Sequence, residues 1–219
     1  MPEPKGPSEF VEQAYRLQDE GGMVEFYRKW AADYDRQMLD QLGYTSPTKI
    51  AQQLSEYLTD SEASVLDLGC GTGLTSVYLA AKGYQNLDGI DLSADMIRVA
   101  GQRGIYRKLV VGDINQPLDG EDASYDGVVS TGTFTHGHVG PQPLDEIFRI
   151  LKPGGILACT VHDELWESMG FRAKLDTLVD AGIANCLSRQ LDSYYHDSPP
   201  RAGFASIGNA PDGRARRPE

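Results

Sequence analysis

Three glycines follow a short apolar run in residues 65–73 (VLDLGCGTG). Glycine lets the backbone turn sharply and lets a ligand approach it closely, and the N–H groups of a helix that follows point into the same space. The spacing is GxGxG, whereas the fingerprint of nicotinamide and flavin dinucleotide sites, GxGxxG, requires glycine where Leu74 stands. The acidic residue before the glycines suits a ligand with an ammonium group better than a pyrophosphate. The candidate binding residues of this segment are Asp67, Gly69, Gly71 and Gly73.

Two further carboxylates stand where later apolar runs end. Asp91 follows the glycines by about 20 residues, where a carboxylate can accept hydrogen bonds from both hydroxyls of a ribose. Asp113 ends the next run and can accept a hydrogen bond from an adenine amine, with Met96 and Ile114 as apolar walls on the ring. Each carboxylate alone also fits a solvated loop or a helix N-cap, but their spacing favours one shared pocket. Leu92 and Thr131 complete the candidate cofactor-binding residues.

Short apolar runs separated by helical stretches surround these residues. Strands are predicted over residues 65–68, 87–91, 109–112, 127–131 and 155–161, and helices begin near Leu74, Ser93 and Leu144. This alternation is typical of an α/β fold with a doubly wound, mostly parallel sheet. Right-handed connections then place helices on both faces of the sheet.

The two ends of the chain differ from this pattern. Phe26, Trp30, Tyr34, Met38 and Leu42 recur at helical spacing, and the pair Ser46-Pro47 predicts the N-cap and first turn of another helix. The last residues are rich in Gly, Pro, Arg and Ala, with few large apolar side chains. We therefore predict an N-terminal helical cap over residues 1–60, a ligand-binding domain over 61–197 and a loosely ordered tail over 198–219.

Charge and cysteine content indicate which classes of partner and which cellular compartment to expect. The formal net charge of −12 disfavours binding to phosphate backbones and to anionic lipid surfaces, so neither nucleic acid nor membrane is an expected partner. The N-terminus lacks the pattern of a secretory signal, and the three scattered cysteines show no CxxC spacing. These features predict a cytoplasmic protein and leave its oligomeric state open.

The successive motifs resemble those of class I S-adenosylmethionine-dependent methyltransferases. The resemblance is carried by residues 67–73, Asp91, Asp113, 125–128 (YDGV) and 151–155 (LKPGG). Within that superfamily, residues 30–35 (WAADYD) and 132–140 (GTFTHGHVG) are similar to the methyltransferase-like proteins named for the Williams-Beuren syndrome critical region.

The resemblance implies a Rossmann-like, seven-stranded sheet with a reversed last strand, and S-adenosylmethionine as cofactor. It implies that Gly69 and Gly71 lie near the methionine moiety, Asp91 on the ribose and Asp113 on the adenine. It also implies that Tyr34 closes over the cofactor from the N-terminal helices, although the aromatic pair Trp30 and Tyr34 equally fits a buried helical face. The family ends in a hairpin of two apolar strands, for which residues 194–207 are a poor candidate.

The predicted function is methyl transfer to a small-molecule acceptor by direct displacement. A non-catalytic S-adenosylmethionine sensor or scaffold is the alternative, and a dinucleotide oxidoreductase is disfavoured by Leu74. His136 and His138 follow the fourth strand at the same sheet edge and are the candidate catalytic residues, as a proton acceptor or as substrate contacts. A solvent-facing loop pair is the other interpretation. No metal site is predicted, because no further ligand stands close to these histidines.

Overall fold

The computed structural model describes residues 7–17, 20–135, 139–196 and 198–209. Within these residues, seven strands form one sheet in the order β3-β2-β1-β4-β5-β7-β6. The strands are β1 Ser64–Leu68, β2 Asn86–Asp91, β3 Tyr106–Val111, β4 Tyr125–Phe134, β5 Leu151–His162, β6 Ala184–Asp192 and β7 Ala202–Asn209. The first five pair in parallel, and β7 is antiparallel to both β5 and β6. The mostly parallel sheet with a reversed last strand is thus confirmed.

Helices precede the sheet and connect its strands. They are α1 Pro7–Arg16, α2 Glu20–Trp30, α3 Ser46–Tyr57, α4 Leu74–Ala81, α5 Ala94–Gly101, α6 Leu144–Ile150, α7 Asp163–Ser168 and α8 Phe171–Asp180, with a π-helical segment at Arg36–Gln41. The starts predicted near Leu74, Ser93 and Leu144 are confirmed. No helix in the described part of the chain combines the length and apolar character that a membrane crossing requires.

Consecutive residues of the central strands point to opposite faces and supply two separate cores. Val128 and Leu157 pack on the face covered by α6, α7 and α8. Their neighbours Val129 and Ala158 pack on the face covered by α3 and α4. This period of two residues is why the inner strands are apolar throughout, and why helices cover both faces.

The C-terminal prediction is wrong over Ala202–Asn209. The sequence predicts a loosely ordered tail here, but the segment forms β7 and is hydrogen-bonded on both sides, between β5 and β6. Phe204, Ala205 and Ile207 are buried. The segment escaped prediction because most of its residues are small, and the final hairpin uses Ala184–Asp192 rather than the residues near 194. Residues 210–219 of the predicted tail lie outside the described residues.

The N-terminal residues are helical, as predicted, but the helices begin and end at other residues than predicted. The helical run predicted from Phe26 to Leu42 is interrupted, because α2 ends at Trp30 and a turn precedes the π-helical segment. Helix α3 includes Ser46, and its N-cap is Thr45 without a side-chain cap, so the predicted capping role of Ser46 is wrong. The assignment of residues 1–60 to a separate cap stays a prediction.

The start of α3 is hydrogen-bonded and ion-paired to the end of β6 and the connection between β6 and β7. The N–H of Thr45 donates to the carbonyl of Tyr194 at 2.9 Å. The ammonium group of Lys49 lies 2.7 Å from a carboxylate oxygen of Asp192 and donates to the carbonyl of Ser193 at 3.0 Å. The N-terminal and C-terminal parts of the described chain therefore meet beside the carboxyl edge of the sheet.

Candidate cofactor and acceptor site

A cavity of about 270 Å³ opens at the carboxyl ends of β1, β2, β3 and β4. Most of the predicted cofactor-binding residues line it, although they come from distant parts of the sequence. These residues are Tyr34, Gly69, Gly71, Asp91, Leu92, Met96, Asp113, Ile114 and Thr131. The expected convergence of strand ends at one edge accounts for this arrangement.

Two glycines of the turn after β1, Gly69 and Gly71, line the cavity and adopt positive φ. Gly69 has φ +70°, and a Cβ there would lie 2.3 Å from Oγ1 of Thr133. Gly71 has φ +54°, and a Cβ there would meet nothing within 4 Å. The turn thus packs tightly at Gly69 and leaves open space at Gly71, which fits a ligand that lies against its backbone.

Asp91 holds the turn from the end of β2. Its Oδ2 accepts a hydrogen bond from the N–H of Gly71 at 2.8 Å, and its Oδ1 accepts one from the N–H of Ser93 at 2.8 Å. Burial raises the pKa of this carboxyl. Because each carboxylate oxygen has two acceptor positions, Asp91 retains capacity to accept hydrogen bonds from the two hydroxyls of a ribose.

Asp67 and Gly73 do not lie among the described residues that line the cavity, and their predicted contact with the cofactor stays a prediction. Asp67 is 2% exposed beneath the turn, where its Oδ2 accepts hydrogen bonds from Ser76 Oγ at 2.7 Å and Tyr106 Oη at 2.9 Å. Burial raises its pKa to about 6. Gly73 is the N-cap of α4 and packs near the Tyr106 ring. Both residues support the turn from below.

Met96, Asp113 and Ile114 line the same cavity, and their roles at an adenine ring stay a prediction. Met96 and Ile114 are buried and supply apolar walls. Oδ1 of Asp113 accepts hydrogen bonds from the N–H of Asn115 at 2.8 Å and from the side-chain amide of Asn115 at 3.0 Å. The Asp113 carboxylate thus has a fixed orientation at the cavity.

Helix α2 forms a wall of the cavity that sequence reasoning missed. Met23, Val24 and Tyr27 line it together with Tyr34. Their spacing relative to Trp30 places them on neighbouring faces of one helix. This spacing is the sequence feature from which their place beside the cavity could have been predicted. Trp30 is buried, and its indole N–H donates to the side chain of Gln37 at 2.8 Å. Tyr34 lines this cavity, whereas Trp30 is not among the described residues that do.

A smaller cavity adjoins the first one and is mainly aromatic. The two cavities share Tyr27, Tyr34 and Gly132. The other residues that line the smaller one are Val11, Ala14, Trp30, Met38, Tyr44, Thr135, Tyr194 and Tyr195. Tyr44 and Tyr195 form an isolated β-bridge, and the centres of their rings are 5.5 Å apart. The contacts between the start of α3 and the β6–β7 connection therefore bring together residues that line this aromatic cavity.

The two candidate catalytic residues, His136 and His138, lie outside the described residues. Their neighbours Thr135 and Val139 line the aromatic and the cofactor cavity respectively. Among residues 7–17, 20–135, 139–196 and 198–209, no group of three or more His, Cys, Asp or Glu side chains is placed to hold a metal ion.

The sheet order, the glycine turn and the acidic residues at successive strand ends define a class I methyltransferase fold. A family model described as a methyltransferase domain matches residues 66–159. The solved structure of a putative S-adenosyl-L-methionine-dependent methyltransferase from Methanococcus maripaludis has a TM-score of 0.63 at 21% identity and covers 87% of this chain and 94% of that one. This likeness shows a common fold.

Two curated relatives extend the comparison. Methyltransferase-like protein 27 of Homo sapiens is 31% identical over 179 residues, which are 79% of this chain and 72% of that protein. An 18S rRNA (guanine-N(7))-methyltransferase of Arabidopsis thaliana is 35% identical over 86 residues, which are 37% of this chain and 29% of that protein. The chain belongs to the S-adenosylmethionine-dependent methyltransferases, is similar to methyltransferase-like protein 27, and uses S-adenosylmethionine as its cofactor.

Proposed function

We propose that this methyltransferase acts on a small-molecule acceptor, part of which binds in the aromatic cavity, of about 40 Å³, beside the cofactor cavity. The observation that carries the proposal is that the two cavities share Tyr27, Tyr34 and Gly132. The described residues that line the aromatic cavity are all uncharged, which suits a small neutral acceptor. A net charge of −12 also opposes binding to an RNA backbone.

The chain's own residues would bind and orient the two reactants. When bound, S-adenosylmethionine supplies a methyl group on a sulfonium centre that is open to direct displacement. Gly69 and Gly71 would hold its methionine portion, Asp91 its ribose, and Asp113 its adenine. The aromatic cavity would align the acceptor nucleophile and exclude water, so the mechanism requires no covalent enzyme intermediate.

We also propose that His136 or His138 removes the proton of an acceptor that arrives protonated at oxygen or nitrogen. Imidazole has an unperturbed pKa of about 6.5 and can accept a proton near neutral pH. Replacing each histidine by alanine should lower methyl transfer and leave cofactor affinity unchanged. Wild-type turnover by both variants between about pH 6 and 9 would show that neither histidine is a base.

A cytoplasmic location is also part of the proposal. It is supported by Cys70, Cys159 and Cys186, which are all unpaired in the described part of the chain, as expected of a reducing compartment. Fractionation of cells that express the chain at its native level would test this location directly.

The acceptor is tested by S-adenosylhomocysteine release. The protein would be incubated with methyl-labelled S-adenosylmethionine and either a metabolite extract or total RNA, and the labelled product identified. We expect label in the metabolite fraction. Label in RNA would overturn the small-molecule proposal, and release in neither arm would favour the sensor alternative.

A matched pair of variants connects that activity to the aromatic cavity. Tyr195 lines this cavity, is partly exposed and is not among the described residues that line the cofactor cavity. Tyr195→Ala should raise KM for the acceptor at least about tenfold with unchanged affinity for S-adenosylhomocysteine. Tyr57 is 41% exposed at the end of α3, and Tyr57→Ala is the control. Equal KM values for both variants would place the acceptor elsewhere.

A further inference from the structure

Asp35 joins three segments that surround the cofactor cavity. Oγ1 of Thr72 donates to Oδ1 of Asp35 at 2.5 Å. The guanidinium group of Arg103 donates both to Oδ2 of Asp35 and to the main-chain carbonyl of Thr72. Asp35 precedes the π-helical segment, Thr72 is in the glycine turn, and Arg103 follows α5. A cyclic set of contacts, the Asp35 cluster (Asp35, Thr72 and Arg103), therefore connects the N-terminal helices to the turn.

The Asp35 cluster is shielded from solvent more than an ordinary surface ion pair. Thr72 is 1% exposed, and the side chains of Arg103 and Asp35 are 21% and 35% exposed. The nearby pair Asp33–Arg36 is more than half exposed and joins residues of one local segment. Shielded, charge-assisted hydrogen bonds between distant segments contribute more than such exposed pairs.

Both ends of the Asp35 cluster adjoin residues that face the cofactor cavity. Tyr34 directly precedes Asp35 and lines the cavity. Thr72 directly follows Gly71, which lines the cavity and donates its N–H to Asp91. Asp35 is not among the described residues that line the cavity. The Asp35 cluster thus links the glycine turn to the segment that carries Tyr34 through side chains that do not themselves line the cavity.

We propose that Asp35 is a positioning residue which, through Thr72 and Arg103, couples cofactor binding at the glycine turn to closure of the N-terminal helices over the cavity. Coupling of this kind is reciprocal, so closed helices also raise cofactor affinity. The proposal concerns the cofactor and does not depend on which acceptor is used. A tether that only stabilises the fold would make the same contacts without coupling them to the ligand.

The test measures binding and local opening in the full-length protein. S-Adenosylhomocysteine affinity would be measured by calorimetry, and hydrogen exchange of residues 20–45 would be followed with and without this ligand. In the wild type, the ligand should slow exchange in this segment. Asp35→Asn should weaken affinity about tenfold and remove most of that slowing. Asp33→Asn is the control, and both quantities should stay within about twofold of the wild type.

A second variant keeps the test decisive if Asp35→Asn does not fold. Arg103→Lys retains a positive charge but lacks the planar group that contacts Asp35 and Thr72 together, so it should show the same two losses. Two outcomes overturn the proposal. One is wild-type affinity with wild-type ligand-dependent protection. The other is a lower free energy of unfolding with unchanged affinity and protection, which would identify a purely structural tether.

Discussion

The carboxyl of Asp67 lies under the glycine turn and has a pKa of about 6, above its ordinary value of 3.8. The folded protein therefore binds this proton more tightly than the unfolded chain, and this group lowers stability as pH rises through that range. Asn at position 67 does not titrate. The unfolding free energy of the wild type minus that of Asp67→Asn should fall by roughly 1 to 3 kcal/mol between about pH 4 and 7.

Urea unfolding of both proteins at several pH values measures this difference. Because every other carboxylate is present in both proteins, their contributions largely cancel. Parallel stability curves would contradict the prediction, since they would mean that Asp67 titrates near its ordinary value despite its burial.

Gly69 and Gly71 predict different consequences for the same substitution. Gly69→Ala places a Cβ 2.3 Å from Thr133 Oγ1 at positive φ, so it should destabilise the fold by roughly 2 to 4 kcal/mol. Gly71→Ala places its methyl group in open space at the cavity. It should retain most of the stability and weaken S-adenosylhomocysteine binding more than about tenfold. Thermal unfolding and calorimetry on the pair distinguish these effects, and tight binding by Gly71→Ala would exclude a ligand that lies against this backbone.

At the scale of elements, β7 contributes more to the fold than its composition indicates. Phe204 is fully buried in it, whereas Leu191 on the neighbouring β6 is 55% exposed. Phe204→Ala should reduce the free energy of unfolding by about 3 to 5 kcal/mol, because it leaves a cavity in the core. Leu191→Ala should stay within about 0.5 kcal/mol of the wild type. Equal denaturation midpoints for the two variants would contradict the packing of β7.

The elements that could be predicted from sequence are those whose signals are local. Strands β1, β2 and β3 each combine an apolar run with an acidic or glycine residue at its end, and that pattern also located Asp91 and Asp113. Strand β7 has no such pattern, because a strand between two neighbours accommodates small side chains such as Ala205 and Ser206. Its identity depends on pairing with β5, which is distant in sequence.

The cavity walls were harder to predict than the strand ends, because they too depend on contacts between segments that are distant in sequence. Tyr44 and Tyr195 become neighbours only when the start of α3 meets the β6–β7 connection. No spacing within either segment indicates that contact. Asp67 shows the reverse case, since its type and position predicted a ligand contact, while its side chain points to Ser76 and Tyr106 beneath the turn.

At the scale of the whole molecule, cofactor binding should stabilise the fold. A ligand at 100 times its Kd adds about 2.7 kcal/mol to the free energy of unfolding. For a chain of 219 residues, this corresponds to a rise in Tm of roughly 5 to 10 °C. Calorimetric scans with S-adenosylhomocysteine should show this rise, and scans with NAD at the same concentration should show none. A comparable shift with NAD would revive the oxidoreductase alternative.

The position of β7 also constrains how the protein is made. In the sheet β7 separates β5 from β6, but the ribosome synthesises it after both of them. A nascent chain that has not reached residue 209 therefore has β5 as an open edge, and β6 has no native partner to join. Unpaired apolar edges are where growing chains misassemble, so this half of the sheet is open to wrong pairing until β7 has been synthesised.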